Sequence, residues 1–353
     1  MFFKNKKVIG LDIGTSSIKI AEMVRSGSFF KLVSFSMLPT PPEAVLAGEI
    51  VDQEKVASAI TSMLMNLKNK TKAASIGVAG SSVIVKKIMI PAIEDKMMED
   101  QVRWEAEQYI PFDLKEITLT HSVLKSTKSS QNVEILLIAA QNEFINKYKE
   151  TILRAGLTCD IIDLSSFAFS NIYQANYGRS PRKTIGLLNI GAGVTSFVVI
   201  DRGEIVFSRD IPIGGNYYTQ EIQKEMNVTL KEAELFKLST SKKGEVPDEV
   251  HSILSVCNDF VSEEIRHSFD FYSATSTGAP ITQVYFAGGA SQTPGLIQQI
   301  EKHIGIPLKA MDPFIRVQNG NASITVPYLQ QIAPYASVAL GLAMREVGDS
   351  DKN

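Results

Sequence analysis

The sequence is poor in the residues that staple small secreted folds or hold metal ions. Its 353 residues carry two cysteines, Cys159 and Cys257, and four histidines, His121, His251, His267 and His303. Two cysteines so far apart read as buried thiols of a reducing compartment rather than a disulfide framework. The histidines show no metal-ligand spacing with the cysteines, which argues against a zinc site. Net charge is also scarce, at −2, so no global attraction to nucleic acid is expected. No stretch reaches the roughly 20 apolar residues that span a bilayer, and "EILLIAA" at 134–140 has the length of a strand. The opening "MFFKNKKVIGLDIG" has early lysines, but Asp12 interrupts its apolar run too soon for a signal peptide. The closing "GDSDKN" is polar. It is expected to fray as a disordered tail over 346–353, with no amphipathic anchoring helix.

What is present is an ordinary soluble composition, 44% hydrophobic and 21% charged, on a chain long enough for two lobes. The organising stretch is 8–20, "VIGLDIGTSSIKI". Val8 to Ile13 reads as a buried strand, 14–17 as a tight turn of small residues, and Ile18 to Ile20 as the start of a returning strand. Such a turn leaves backbone N–H groups free to point at an anion. Gly14, with Thr15 and Ser16 after it, lets the backbone approach a ligand closely. Asp12 is positioned to hold a hydrated cation and Lys19 to neutralise a phosphate. Taken alone, the stretch reads equally well as a solvated hairpin. A second stretch, "GLLNIGAGVTSFVVI" at 186–200, repeats the plan. A buried strand again runs through Asn189 into Ile-Gly, with Gly191, Gly193 and Thr195 in the turn and the strand that follows. A third turn in "VYFAGGASQTPGL" at 284–296 follows a strand and opens a helix, and its Gly288 and Gly289 allow the chain to lie flat against a base or ribose.

Three strand-end turns in this order resemble those of the actin-like ATPase superfamily. The resemblance implies an α/β, two-lobed duplicated fold with ATP and Mg2+ between the lobes. The first hairpin fits through Asp12, Gly14-Thr15-Ser16 and Lys19, with Asp12 as the metal-holding carboxylate. The second departs: the family places Asp before Ile-Gly, and here stands Asn189, an amide without the charge that orders metal and water. Resemblance also implies that "CDIIDLSSFAFSNIYQ" at 159–174 is a strand and the first connecting helix, with Asp163 facing the γ-phosphate as general base. By its own position Asp163 reads as a helix-capping carboxylate, and Ser165 as a cap. Glu234 and Lys237, three apart on a helix opened by the capping box Thr229/Glu232, would line the adenosine pocket; without the resemblance they read as a surface ion pair.

The chain in order suggests five parts: a first-lobe core (1–80, with 151–178 and 329–345), an inserted α+β module (81–150), a second-lobe core (179–213 and 280–328), a helical subdomain (214–279) and the tail. In the first part, Asp52 is a plausible N-cap for a helix whose stripe is Val56, Ile60, Met63, Leu64 and Leu67. The inserted module reads strand, helix, strand, polar turn (126–131), strand, helix. Its first helix ends in "WEAEQYIPF", with Trp104, Tyr109 and Phe112 expected against the module's own sheet or at the edge of a groove for another chain. The module and the whole layout resemble the type IV pilus assembly PilM family. That resemblance implies a cytoplasmic, ATP-binding adaptor on the inner-membrane platform, peripheral to the membrane through its partner. The implied partners are the N-terminal cytoplasmic segment of a PilN-like single-span membrane protein and other platform proteins, with homo-oligomerisation left open. The alternatives are an active ATPase or sugar kinase of the superfamily, or an FtsA-like polymer-forming cell-division protein. A kinase should show a carboxylate base in a sugar cleft, and the lack of an amphipathic end counts against the FtsA-like case.

Overall fold

Alternating apolar residues joined by small-residue turns fold the start of the chain into a meander: β1 (Ile9–Ile13), β2 (Ser17–Ser26) and β3 (Phe29–Pro39), all antiparallel. This computed structural model describes residues 7–67, 70–124, 131–240, 246–276, 278–321 and 323–347. Most of the polar turn expected at 126–131 and of the tail expected at 346–353 lies outside them. A short hairpin, β4 (Val45–Leu46) and β5 (Glu49–Ile50), precedes α1 (Gln53–Leu67) and β6 (Ala73–Val78), which runs parallel beside β1. Asp52 caps α1 by accepting a bond from the Lys55 amide at 3.0 Å. That bond and the Lys55 ammonium hold its carboxyl below the usual range. Val56, Ile60 and Met63 point into the core.

β7 (Val83–Pro91), α2 (Asp95–Tyr109), β8 (Ile117–Val123) and β9 (Asn132–Gln141) build the inserted module, a three-stranded sheet in the order β7-β9-β8. Met98, Val102 and Ala106, four apart on α2, close its core over Ile88, Ile135 and Leu137. Trp104 does not join them. Two residues from Val102, it lies about 200° around the helix and is 59% exposed. Tyr109 stays near the surface under the Lys86 ammonium, 4.4 Å from its ring centre, and only Phe112 packs at the core margin. The following helix, α3 (Asn142–Arg154), departs from the expected module. Its Phe144, Ile145, Tyr148 and Ile152 enter the first-lobe core beside α1, so the module's own packing closes with β9.

β10 (Thr158–Leu164) lies parallel to β6, and α4 (Ser165–Tyr177) leads to the second lobe. There β11 (Thr184–Ile190), β12 (Thr195–Asp201) and β13 (Glu204–Ile211) repeat the meander. The helical subdomain is α5 (Gly215–Met226), α6 (Leu230–Ser239) and α7 (Asp248–Thr275), and the Thr229/Glu232 capping box opens α6. β14 (Gln283–Ala287) runs parallel to β11; α8 (Leu296–Ile304) and β15 (Leu308–Ala310) complete the sheet. β16 (Val317–Asn319) returns to pair with β3, so this part of 280–328 belongs to the first sheet rather than the second lobe. α9 (Val326–Ala343) closes the described fold.

The two large sheets share one plan. β3-β2-β1-β6-β10 and β13-β12-β11-β14-β15 are each a meander followed by two parallel strands. The duplicated two-lobed α/β fold is thereby established, with α4 and α9 crossing between the sheets. Gly341 makes the crossing possible: a Cβ there would stand 1.9 Å from the Ala168 carbonyl oxygen of α4. Among the described residues no helix is long and apolar enough to cross a membrane. Both cysteines are unpaired, and burial pushes the Cys257 thiol up to about 12.

Candidate functional site: a cleft between two matched hairpins

The β1–β2 and β11–β12 turns are built alike. Gly14 N donates to the Ser17 carbonyl at 3.1 Å, and Gly191 N donates to the Val194 carbonyl at 3.0 Å. Neither position tolerates a side chain, because a Cβ on Gly14 would meet the Ser17 oxygen at 2.9 Å and one on Gly191 the Val194 oxygen at 2.7 Å. Thr40 pins the first turn from β3's end, its hydroxyl donating to the Gly14 carbonyl at 2.6 Å. The turns face each other: a Cβ on Gly193 would lie 2.6 Å from the Thr15 hydroxyl oxygen. Between the lobes opens a cleft of about 440 Å³, within the usual size of a small-molecule site.

Asp12, Gly14, Thr15, Ser16 and Lys19 line this cleft from the first lobe, and Asn189, Gly191 and Gly193 from the second. Asp12 and Lys19 are register partners across β1 and β2. The Lys19 ammonium lies 3.0 Å from the Asp12 carboxylate, with only 11% and 14% of the two side chains exposed. Nζ also donates to the Ser17 carbonyl at 3.3 Å. The second hairpin has no such charge pair; Asn189 faces Ser196 in register, and both line the cleft.

At the far end, Gly288 and Gly289 line the same cleft together with Glu234 and Lys237. Gly288 adopts φ +96°, a backbone that favours glycine, and its N–H donates to the Pro334 carbonyl of α9 at 2.8 Å. Glu234 and Lys237 are 2.7 Å apart, the carboxylate half-exposed and the ammonium largely buried. Lys237 is 12% exposed. It donates to the Thr219 hydroxyl at 2.7 Å and to the Gly215 carbonyl at 3.1 Å, tying α6 to the first turn of α5.

Two expected site residues lie elsewhere. The Thr195 side chain is fully buried and donates to the Ile213 carbonyl at 2.8 Å, so the period of two on β12 leaves Ser196 to face the cleft. Asp163 is absent from the cleft wall. One carboxylate oxygen accepts from the Leu164 amide at 2.8 Å and the other bonds Arg345 just beyond α9. The carboxylate is thus engaged by the Leu164 amide and the Arg345 guanidinium. Asp163 and Ser165 do not cap α4 either: Leu164 occupies the cap without a side-chain bond, and Ser165 lines the cleft instead.

Sequence reasoning missed several wall residues. Asn216 at the start of α5 donates its amide to the Ala192 carbonyl at 2.8 Å, and Gly215 to Gly191 at 2.9 Å. This seats the helix N-terminus, which favours anions, against the second hairpin. The Gly214-Gly215 pair after β13 was the signal available. Tyr148 donates to the Gly48 carbonyl at 2.6 Å, and Tyr335 accepts from Gln292 at 2.6 Å while its ring fills the space where a Gly289 side chain would stand. These contacts span about 100 and 43 positions, respectively, and carry no local signal. No cluster of three or more His, Cys, Asp or Glu residues suited to a metal occurs among the described residues.

A family model described as "Type IV pilus assembly protein PilM" matches residues 10–347. A solved structure described as "PilM-PilN type IV pilus biogenesis complex" superposes with a TM-score of 0.87 at 27% identity, covering 96% of this chain and 98% of the other. The cell division protein FtsA of Streptococcus pneumoniae is 23% identical over 346 residues, 86% of this chain and 75% of that protein. The ethanolamine utilization protein EutJ from Carboxydothermus hydrogenoformans shares the fold, with a TM-score of 0.58 at 13% identity over 96% of this chain and 89% of its own.

Proposed function

The chain belongs to the type IV pilus assembly protein PilM family, and from that premise we propose that it is a nucleotide-clamped adaptor of the pilus inner-membrane platform. It binds ATP between its lobes and docks the N-terminal cytoplasmic segment of a PilN-like membrane protein. One observation carries the nucleotide part: both hairpin turns, tip to tip at Thr15 and Gly193, line the one cleft. The likeness to the PilM–PilN complex supports the partner.

The residues fit magnesium triphosphate. Mg2+ takes one or two carboxylates, the substrate's phosphates and several waters, and Asp12 supplies the carboxylate at the cleft wall. Bound there, the ion screens the charge of the β- and γ-phosphates. Lys19, already oriented by Asp12, faces the phosphates, the Gly14 and Gly191 turns present backbone amides, and Lys237 with Glu234 takes the nucleoside end. The reading assigns binding rather than turnover, because Asn189 is uncharged and Asp163 is held by Arg345. Coupling then requires only that the closed form differ from the open one in affinity for the partner.

Titration calorimetry with Mg-ATP, and anisotropy of a labelled peptide of the PilN-like N-terminal segment with and without Mg-ATP, test both parts. Heat on adding nucleotide and a nucleotide-dependent peptide affinity are expected. Absence of heat removes the clamp, and a peptide that fails to bind under either condition removes the adaptor.

A further inference from the structure

Asn189, Ser196 and Asp210 occupy one register row across β11, β12 and β13. The first two line the cleft, and the third lies behind them at the lobe boundary. The Ser196 hydroxyl donates to one Asp210 carboxylate oxygen at 2.6 Å, and the Gly80 N–H donates to the other at 2.8 Å. Gly80 belongs to the opposite lobe, just past β6. Its φ of +116° favours glycine, and a Cβ would stand 2.7 Å from the Ala47 carbonyl oxygen, so the N–H is aimed by a tight local fold. The Gly80 carbonyl in turn accepts from Val83 N at 3.2 Å, the first residue of β7 and of the inserted module. Ser82, between them, donates to Glu49 at 2.9 Å.

We propose that Asp210 is an interlobe clasp, a positioning residue whose carboxylate ties the cleft-lining Ser196 of the second lobe to the Gly80 amide at the root of the inserted module. The Gly80 hydrogen bond spans 130 positions and joins the two lobes. Closing the lobes forms it, and opening them leaves the Gly80 N–H without its acceptor. Lobe closure is thereby transmitted to the strand that opens the module. This step rests on the adaptor reading only for its link to nucleotide; the clasp itself stands on the geometry.

The clasp has a pH signature. Burial lifts the Asp210 pKa above the ordinary carboxylate range, with the Ser196 and Gly80 bonds working against that shift. Among the described residues lining the adjoining cavity, between β7, β13 and the start of α4, Arg209 is the one other ionisable side chain. Its guanidinium lies over the Phe271 ring, 5.5 Å from the centre. In an open form Asp210 returns to the ordinary value of a solvated carboxylate. The closed form thus binds the proton more tightly, so closure strengthens as pH falls from neutral toward that value and weakens as pH rises through the raised one. A protonated carboxyl still serves both partners, donating to Ser196 while its carbonyl oxygen accepts from Gly80.

NMR-detected hydrogen exchange of the Gly80 amide in the full chain tests this. In Asp210→Ala its protection factor falls roughly ten- to hundredfold, while Asp210→Asn, with one acceptor and one donor, keeps the protection. In the unaltered protein the protection factor rises as pH is lowered through the raised Asp210 pKa, and in Asp210→Asn it stays flat. A Gly80 protection factor unchanged in a folded Asp210→Ala, or flat with pH in the unaltered protein, overturns the clasp. Adding Mg-ATP is expected to raise Gly80 protection in the unaltered protein and not in Asp210→Ala. If calorimetry detects no nucleotide binding, the adaptor reading fails and the exchange measurements on nucleotide-free protein still decide the clasp.

Discussion

The two hairpins share a backbone and differ in charge. Gly14 and Gly191 close their turns with the same amide-to-carbonyl bond, at 3.1 and 3.0 Å. The first hairpin then places a nearly buried Asp12–Lys19 pair at the cleft wall, whereas the second places Asn189 and Ser196 and keeps its carboxylate, Asp210, one strand farther back. Duplication explains the shared frame; the side chains show where the copies have divided the work. The first hairpin puts an ion pair on the cleft wall, and the second puts uncharged side chains there and a tie to the opposite lobe. A superfamily member with an acid on both hairpins can hold metal and water from two sides. With an acid on one hairpin only, the two copies here differ at that position.

The asymmetry is broken most directly at Asp12. Asp12→Ala leaves the Lys19 ammonium without the carboxylate that meets it at 3.0 Å in a largely buried setting. A loss of about 2–3 kcal/mol in denaturant unfolding is expected, along with Mg-ATP affinity reduced on the order of a hundredfold by calorimetry. Asn189→Ala, the matched change on the second hairpin, should cost within about 0.5 kcal/mol. Equal losses at the two positions would mean that charge is not divided as described. A smaller effect is expected at the tips. Gly193→Ala puts a methyl 2.6 Å from the Thr15 oxygen and 3.3 Å from Ala47 backbone atoms, so the Thr15 hydroxyl must turn away and the backbones part by a few tenths of an ångström. Roughly tenfold weaker Mg-ATP binding is expected from a cost of about 1.4 kcal/mol. The intrinsic fold should persist, as read by an unchanged far-ultraviolet circular dichroism spectrum. Unchanged affinity would show that the tips do not need to meet.

Much of this was legible in the chain because it is local. Strand, small-residue turn and strand announce a hairpin through the period of two and the glycines, and the repeat of that pattern announced the duplication. Twelve predicted residues, from Asp12 to Gly289, line the one cleft. The errors came where a side chain's direction is decided by a distant partner. Asp163 stands at a strand end, as a catalytic residue would, but Arg345 lies 182 positions away and takes its carboxylate. Trp104 has the size of a core residue, yet the α2 stripe at 98, 102 and 106 passes it by. β16 is three residues long, too short to signal its sheet, and only its pairing with β3 returns it to the first lobe. Asp210 carried no motif at all; its meaning appears only when Gly80 arrives from the other lobe.

Thr195 is the finest test of the division between frame and ligand contact. It follows Gly193 by two residues and looks like part of the phosphate turn, but its side chain points away from the cleft and donates to the Ile213 carbonyl at 2.8 Å. Thr195→Val keeps the β-branched shape that β12 accommodates and deletes only the hydroxyl. The Ile213 carbonyl then loses a buried donor, for which a cost of about 1 kcal/mol in chemical unfolding is expected. Nucleotide affinity should not move, because Ser196, which faces the cleft, and the Gly191 turn are untouched. An affinity loss exceeding what the stability change accounts for would return Thr195 to the ligand and make the two hairpins more alike than their side chains now indicate.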